Sequence, residues 1–202
     1  TWCSANDVWL LSDEIYDGLV YDGARVTSAL ELGDDVFVLD GFSKRYAMTG
    51  FRLGYVIAPS GAMRALQSLA QNLFISVSSF AQRAGVAALE HGDATTAAMR
   101  ESYGARRALL IDGLSRLGLE VPVIPRGAFY VFADARRFGS DSTALASKIL
   151  EQAHVAVTPG IDFGEAGEGF LRFSCTAPEA RLREALERIG RVPLPPYILG
   201  GA

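Results

Sequence analysis

Three short runs of largely apolar residues constrain the fold more than any other feature of the sequence. They lie at 8–11, 36–39 and 53–58, and polar residues or a proline follow each of them. Strands that are apolar without alternation are typical of a sheet covered on both faces, because the side chains on both sides must then be buried. The three runs therefore predict strands of an α/β fold.

Apolar residues at helical spacing follow these strands and predict helices over about 60–72, 78–91 and 93–118. The last helix would be roughly 37 Å long at 1.5 Å per residue, and a helix of that length often links two domains. We therefore predict an α/β domain over residues 1–92 and a second domain over residues 93–202, which includes the long helix.

The second half of the sequence mixes strands and helices in an α+β order. We expect strands at 121–124, 128–132, 155–157 and 169–174, and a helix over 142–153. Thr176 to Glu179 fits a capping box and predicts the start of a final helix. The Pro- and Gly-rich segment 193–202 is expected to fray.

Composition argues against several functions. A formal net charge of −4 gives no reason to expect nucleic acid as a partner, and no apolar run is long enough to span a membrane. Cys3 and Cys175 are expected to be buried free thiols in a reducing cytoplasm. His91 and His154 are isolated in the sequence, which argues against a His-rich metal site. The chain begins almost directly on a predicted strand and without Met, which suggests a cut or processed end.

Lysine is rare, which makes lysine chemistry easy to locate. Lys44 and Lys148 are the only lysines among 19 basic residues. Lys44 follows a predicted buried strand, where partial loss of water favours the neutral, nucleophilic amine. Arg52 lies eight residues later and offers a planar fork for a phosphate. A phosphate-bearing carbonyl ligand is one interpretation; a solvated loop with a structural arginine is the other.

Two further segments place polar groups next to predicted strands. Asp13 closely follows the first predicted strand and Tyr16 lies three residues further on, at the edge of an α/β sheet where ligands bind. A helix cap and a packed tyrosine would explain the same residues. Arg172 lies among apolar residues and needs an anion if its side chain points inward, whereas an alternating strand would turn it toward water.

Together these segments resemble the class I and II aminotransferases, which are fold-type I enzymes that use pyridoxal 5′-phosphate. The order and spacing of two motifs carry the resemblance: Asp13-Glu14-Ile15-Tyr16, and Ser43-Lys44 followed by Thr49-Gly50-Phe51-Arg52-Leu53-Gly54. Weaker matches are Gly127-Ala128-Phe129-Tyr130 and Val157-Thr158-Pro159-Gly160 with Phe163-Gly164.

The resemblance implies a role for each residue that would hold the cofactor. Lys44 would form the Schiff base with the cofactor aldehyde and later shuttle the substrate proton. Asp13 would pair with the pyridine nitrogen, and Tyr16 would hydrogen-bond the ring oxygen. Ser43 and Arg52 would hold the phosphate.

The resemblance also implies the substrates. Arg172 would bind the α-carboxylate of an amino acid or a 2-oxo acid, and Phe129 and Tyr130 would line the substrate side. Family members are homodimers, and residues 76–82 are expected near the dimer interface. The cofactor leaves two alternatives open: another reaction on amino acids, such as a C–S β-lyase, or a non-catalytic domain that senses a ligand.

Two departures from the family pattern concern single residues: Phe51 stands where Trp is usual, and Gly41 where some relatives carry Ser. A larger departure is that the N-terminal half of the family is not present. The chain is therefore expected to be a C-terminal portion, inactive on its own.

Overall fold

The computed structural model describes residues 2–193 and divides into two compact units, Thr1–Arg100 and Glu101–Ala202. The division falls within a helix that begins at Asp93, the residue where we placed the domain boundary. The assignment of 1–92 and 93–202 as separate domains stays a prediction. Of the segment expected to fray, only Pro193 belongs to the described residues.

The first unit contains a three-stranded sheet. Its strands, in the order β1-β2-β3, are β1 (Leu10–Asp13), β2 (Val36–Gly41) and β3 (Gly54–Ile57). Strands β1 and β2 are parallel, and β3 is antiparallel to β2 with Gly41 opposite Gly54. Strands β1 and β2 therefore end at the same edge of the sheet, and β3 begins there.

Four helices of the first unit lie before, between and after these strands. They are α1 (Trp2–Ala5), α2 (Phe42–Arg45), α3 (Met63–Leu73) and α4 (Ser79–His91). The predicted helix over 60–72 begins later, because a short 3-10 turn over Ser60–Ala62 follows Pro59. The first strand is also displaced from the predicted 8–11, so that it ends at Asp13.

The sheet of the first unit is not covered on both faces by the residues described. Ala29, Val36 and Val38 form one buried cluster, with Leu10 packed against it. Leu11 and Ile57 are exposed, and every residue of β3 is accessible to solvent. The expectation of a sheet covered on both faces is therefore not met by residues 2–193.

The second unit has an antiparallel sheet in the order β4-β6-β5. Its elements are β4 (Tyr130–Asp134), α6 (Ser142–Ala153), β5 (Thr158–Pro159), β6 (Phe170–Ser174) and α7 (Glu179–Arg191), and α5 (Asp93–Arg116) runs into it. Leu114, Val131, Ile149 and Leu171 are fully buried in its core. The helix predicted over 142–153 is confirmed at both ends, and the antiparallel sheet with helices is the expected α+β arrangement.

Three predictions for the second unit are wrong. Residues 121–124 form no strand, since Pro122 and the following Pro125 lack the N–H groups that a ladder needs. The strand expected at 155–157 lies at Thr158–Pro159 instead. The capping box at Thr176 is not formed: α7 begins after Pro178, and the hydroxyl of Thr176 contacts that of Ser174.

The two cysteines differ from expectation in one respect. Both are free, but only Cys175 is buried, while Cys3 is half-exposed. Among residues 2–193, none of the helices has the length and apolar character required to cross a bilayer. Nor does that range contain a cluster of three or more residues able to bind a metal ion.

Candidate active site

Asp13 and Tyr16 lie where β1 ends. Asp13 is the last residue of the strand, its side chain is exposed, and its Oδ1 accepts the Ile15 N–H at 3.1 Å. A turn follows in which the Tyr16 carbonyl accepts the Leu19 N–H at 3.0 Å. Tyr16 is half-buried. The carboxylate and the phenol therefore belong to one short turn at the edge of the sheet.

Glu14 fixes this turn. Its Oε1 accepts the Ala29 N–H at 2.8 Å and the hydroxyls of Ser12 and Ser28 at 3.0 and 3.2 Å. Burial alone would raise the pKa of Glu14, but these three hydrogen bonds outweigh it and lower the pKa below its ordinary value. Glu14 is thus an anchor that the sequence analysis did not single out, because nothing in its spacing reveals its distant partners.

Lys44 follows the end of β2, at the same edge of the sheet as Asp13. It lies in helix α2, which Gly41 precedes, and its side chain is half-buried. Gly41 packs closely on the next strand: a Cβ there would come within 3.0 Å of the Leu53 carbonyl oxygen. The lack of a side chain at Gly41 therefore lets the segment that carries Lys44 begin directly against β3.

Ser43 and Arg52 belong to a loop that is closed by its own hydrogen bonds. The Thr49 hydroxyl donates to the Ser43 carbonyl at 3.0 Å, and Arg52 Nη1 donates to the Thr49 carbonyl at 2.9 Å. Arg52 is exposed and has a left-handed backbone with a φ of 54°. The amine, the hydroxyl and the guanidinium are thus carried by one connected segment between β2 and β3.

Asp40 and Tyr55 form a cross-strand pair just before Lys44. They are opposite each other in the β2–β3 register, and Tyr55 donates its hydroxyl to Asp40 Oδ2 at 2.7 Å. Partial burial, followed by the hydrogen bond and the negative charge of Asp40, raises the pKa of Tyr55 to about 12. The pair has no signature in the sequence, because the strand register brings its two residues together.

Arg172 lies in the second unit, on β6, between the buried side chains of Leu171 and Phe173. Its guanidinium carbon lies 4.2 Å from the ring centroid of Tyr130 and 4.6 Å from that of Phe163. Its Nη2 donates to Thr158 Oγ1 at 3.3 Å. The side chains of β6 alternate between buried and partly exposed, as expected if the strand turns Arg172 toward water. Aromatic rings nevertheless cover the face that carries the arginine.

The two aromatic residues predicted to line the substrate side, Phe129 and Tyr130, pack on each other, with their ring centroids 4.8 Å apart. Phe129 is buried, and its ring lies 5.5 Å from that of Tyr103. Tyr130 lies against Arg172. Phe129 therefore packs on the ring that contacts the arginine.

The loop that carries Phe163 is tied to helix α6. Ser142 Oγ accepts the Ile161 N–H at 3.2 Å, and Glu168 accepts the Ser142 N–H at 2.6 Å. Gly160 and Gly167 approach so closely that a Cβ at Gly160 would overlap the Gly167 carbonyl oxygen. These contacts fix the position of the Phe163 ring beside Arg172.

The predicted site residues are divided between the two units. Asp13, Tyr16, Ser43, Lys44 and Arg52 lie in the first, and Arg172 lies in the second.

Comparison with known proteins identifies the family. The family described as aminotransferase class I and II matches residues 1–189. Valine–pyruvate aminotransferase of Mycobacterium tuberculosis is 45% identical, over 94% of this chain and 50% of the relative. Aspartate/prephenate aminotransferase of Thermus thermophilus is 40% identical, over 93% of this chain and 48% of the relative.

Solved structures of aminotransferases are also similar to this chain. An aminotransferase from Mycobacterium tuberculosis has a TM-score of 0.88 at 44% identity, covering 94% of this chain and 50% of that one. An aromatic aminotransferase from Pyrococcus horikoshii has a TM-score of 0.90 at 37% identity, covering 95% and 52%. The chain spans about half the length of the curated relatives it matches. The predicted fold, part of a fold-type I transferase, is confirmed, and the chain belongs to the class I and II aminotransferases.

Proposed function

We propose that the whole protein is a pyridoxal-phosphate-dependent aminotransferase, which transfers an amino group between an amino acid and a 2-oxo acid. One observation carries the proposal. Lys44 follows β2 at the edge where Asp13 ends the parallel strand β1, and the same closed segment holds Ser43 and Arg52. Amine, carboxylate, hydroxyl and guanidinium are thus gathered where ligands bind in α/β sheets.

The donor set of the first unit fits pyridoxal 5′-phosphate. The Lys44 amine suits an aldehyde, and the exposed Asp13 carboxylate suits a protonated pyridine nitrogen. The Ser43 hydroxyl and the exposed Arg52 guanidinium suit a phosphate. Tyr16 supplies a hydroxyl for the ring oxygen. The bound cofactor would supply an electron sink that makes a substrate Cα–H bond acidic.

The residues of the chain then have separable tasks. Lys44 Nζ would hold the cofactor at rest and, once the substrate amine takes its place, would move the proton between the substrate Cα and the cofactor. Asp13 would stabilise the protonated pyridine nitrogen through its negative charge. Arg52 and Ser43 fix the phosphate, which keeps the ring in place while the proton moves.

Arg172 would bind the α-carboxylate of the substrate. The rings of Tyr130 and Phe163 lie against the guanidinium and limit its rotation, while Thr158 takes one of its N–H groups. A guanidinium held in one plane is prepared for a bidentate contact with a planar carboxylate. This arrangement supports an amino acid or a 2-oxo acid as substrate.

Borohydride reduction of the whole protein tests the proposal. We expect reduction to abolish the visible absorbance of the bound cofactor and to leave its label on Lys44. Lys148 is the matched control: it lies in α6, and its Nζ donates to the Pro193 carbonyl at 2.7 Å. Lys44→Ala should lose the label and Lys148→Ala should keep it. A label on Lys148, or no label, would refute the proposal.

The amino donor can be found by assaying a panel of amino acids with pyruvate and 2-oxoglutarate. Valine belongs in the panel because the relative from Mycobacterium tuberculosis is named valine–pyruvate aminotransferase. We further propose that the whole protein is a homodimer located in the cytoplasm. Size-exclusion chromatography and cell fractionation test these two points.

A further inference from the structure

Arg45, the residue after Lys44, reaches from helix α2 to the turn that carries Tyr16. Its Nη1 lies 3.4 Å from Asp17 Oδ2, and the two side chains are 35% and 39% exposed. A second carboxylate, that of the exposed Asp93, lies 4.0 Å from its Nη2. The ion pair with Asp17 therefore joins the neighbour of Lys44 to the neighbour of Tyr16.

The aliphatic part of Arg45 lies directly on Gly18. Gly18 has a φ of +84°, and a Cβ there would be 3.2 Å from Cγ, Cδ and Nε of Arg45. Nε is buried, and within residues 2–193 it has no hydrogen-bond partner. A buried donor without a partner is unfavourable, so close packing and the ion pair must hold the side chain in this position.

Both ends of this connection are fixed to the backbone. The Thr96 hydroxyl, which is buried, donates to the Arg45 carbonyl at 2.9 Å. At the other end, Asp17 Oδ1 accepts the Gly18 N–H at 2.9 Å, and the Asp17 N–H donates to the Glu14 carbonyl at 2.7 Å. A displacement of Arg45 would therefore be transmitted to the turn.

We propose that Arg45 is a positioning residue whose contact with Asp17 and Gly18 fixes the turn that carries Tyr16 relative to the helix that carries Lys44. The inference rests on the proposed function only in the roles of Lys44 and Tyr16. The connection itself is a property of the first unit, so it can be measured without the cofactor.

Amide hydrogen exchange of the whole protein, free of cofactor, is the first test. We expect the Gly18 and Leu19 amides to exchange at least several-fold faster in Arg45→Gln and in Asp17→Asn. Arg25→Gln is the matched control, since it removes the same charge from an exposed ion pair with Glu31 in the same unit. Unchanged exchange of the Leu19 amide in Arg45→Gln would overturn the proposal.

The second test uses the holoprotein. A pure charge effect would give the Arg45 and Asp17 variants opposite changes, whereas a positioning role would give both the same change. Removing the cation Arg45 and removing the anion Asp17 would shift the pH titration of the cofactor absorbance in opposite directions if only charge mattered. If Arg45 positions the turn, both variants should instead weaken cofactor binding, measured by fluorescence titration. The double variant should then be no weaker than the worse single variant.

Arg45→Lys separates the two effects further, since it keeps the charge but loses the guanidinium fork; we expect it to bind cofactor more weakly than the wild type. Opposite shifts of the two single variants in the absorbance titration, with additive effects in the double variant, would overturn the proposal. If borohydride leaves no label on Lys44, the proposed function fails instead, whatever the exchange experiment shows.

Discussion

At the scale of single residues, Arg172 illustrates how an arginine is held beside a sheet. Two rings and one hydroxyl restrict a side chain that otherwise has many rotamers, so less entropy is lost when a carboxylate binds. The sequence indicated that Arg172 needs an anion or water. It could not indicate Phe163 as a neighbour, because that contact depends on how the loop after β5 folds back.

Phe163→Leu should therefore weaken substrate binding in the whole protein. Loss of a cation–π contact worth about 0.5–2 kcal/mol would raise the KM for the amino acid roughly 2- to 30-fold, with little change in kcat. Steady-state kinetics measures both constants. Phe138→Leu is the control, since Phe138 makes a similar contact with Arg137; an equal rise of KM in both variants would contradict the assignment.

The Asp40–Tyr55 pair predicts a dependence of stability on pH. The pKa of Tyr55 is raised from 10.0 in its ordinary state to about 12 in the fold. Its contribution to the free energy of unfolding should therefore be complete below pH 10 and decline as the pH rises toward about 12. Denaturant unfolding of the wild type and of Tyr55→Phe should show a difference at pH 7 that narrows above pH 10. A difference in unfolding free energy that stays constant from pH 7 to above pH 10 would contradict this prediction.

At the scale of elements, the loop between β5 and β6 depends on glycine. Gly160 and Gly167 are buried and in contact through their backbones, which leaves no room for a side chain. Gly160→Ala should lower the free energy of unfolding by about 1–3 kcal/mol, as overpacking usually does. Chemical denaturation measures this change. Gly61→Ala is the control, because nothing lies within 4 Å of its would-be Cβ; equal stability of the two variants would count against the close contact.

Helices were easier to predict than short strands. The helix over 142–153 has an Asp141 cap and a regular apolar stripe, and both signals lie within the helix itself. The strand β5 has two residues, and its place is set by pairing with β6. Two residues are too few to show a periodicity, so the sequence could not indicate that the strand lies at Thr158–Pro159 and not at the predicted 155–157. The candidate site residues stay a prediction, and the sequence indicates them because they follow strands or lie in one continuous motif.

At the scale of the whole molecule, the first unit leaves many large side chains exposed. Ile75 is 82% exposed, Leu73 76% and Phe80 67%. Apolar surface of this extent favours association with other apolar surface. The curated relatives, which are about twice as long as the matched part, contain further chain that could supply it.

The 202-residue chain expressed alone should therefore be poorly soluble and lack normal turnover. We expect it to bind a hydrophobic dye strongly and to elute as aggregates, whereas the whole protein should do neither. Fluorescence and size-exclusion chromatography give the comparison. A monodisperse 202-residue chain with a full transamination rate would show that the exposed surface needs no partner.

The pairing of Gly41 with Gly54 has one more consequence. Residues 42–53 leave the sheet and return to it at neighbouring points, so both ends of this segment are held by the same ladder of hydrogen bonds. Lys44 and Arg52 thus lie in a loop whose two ends are held together by the strand pairing. Inserting or deleting a residue between them would change the length of this loop, whereas exchanging the whole loop between relatives would preserve it. The segment is therefore a natural unit for grafting.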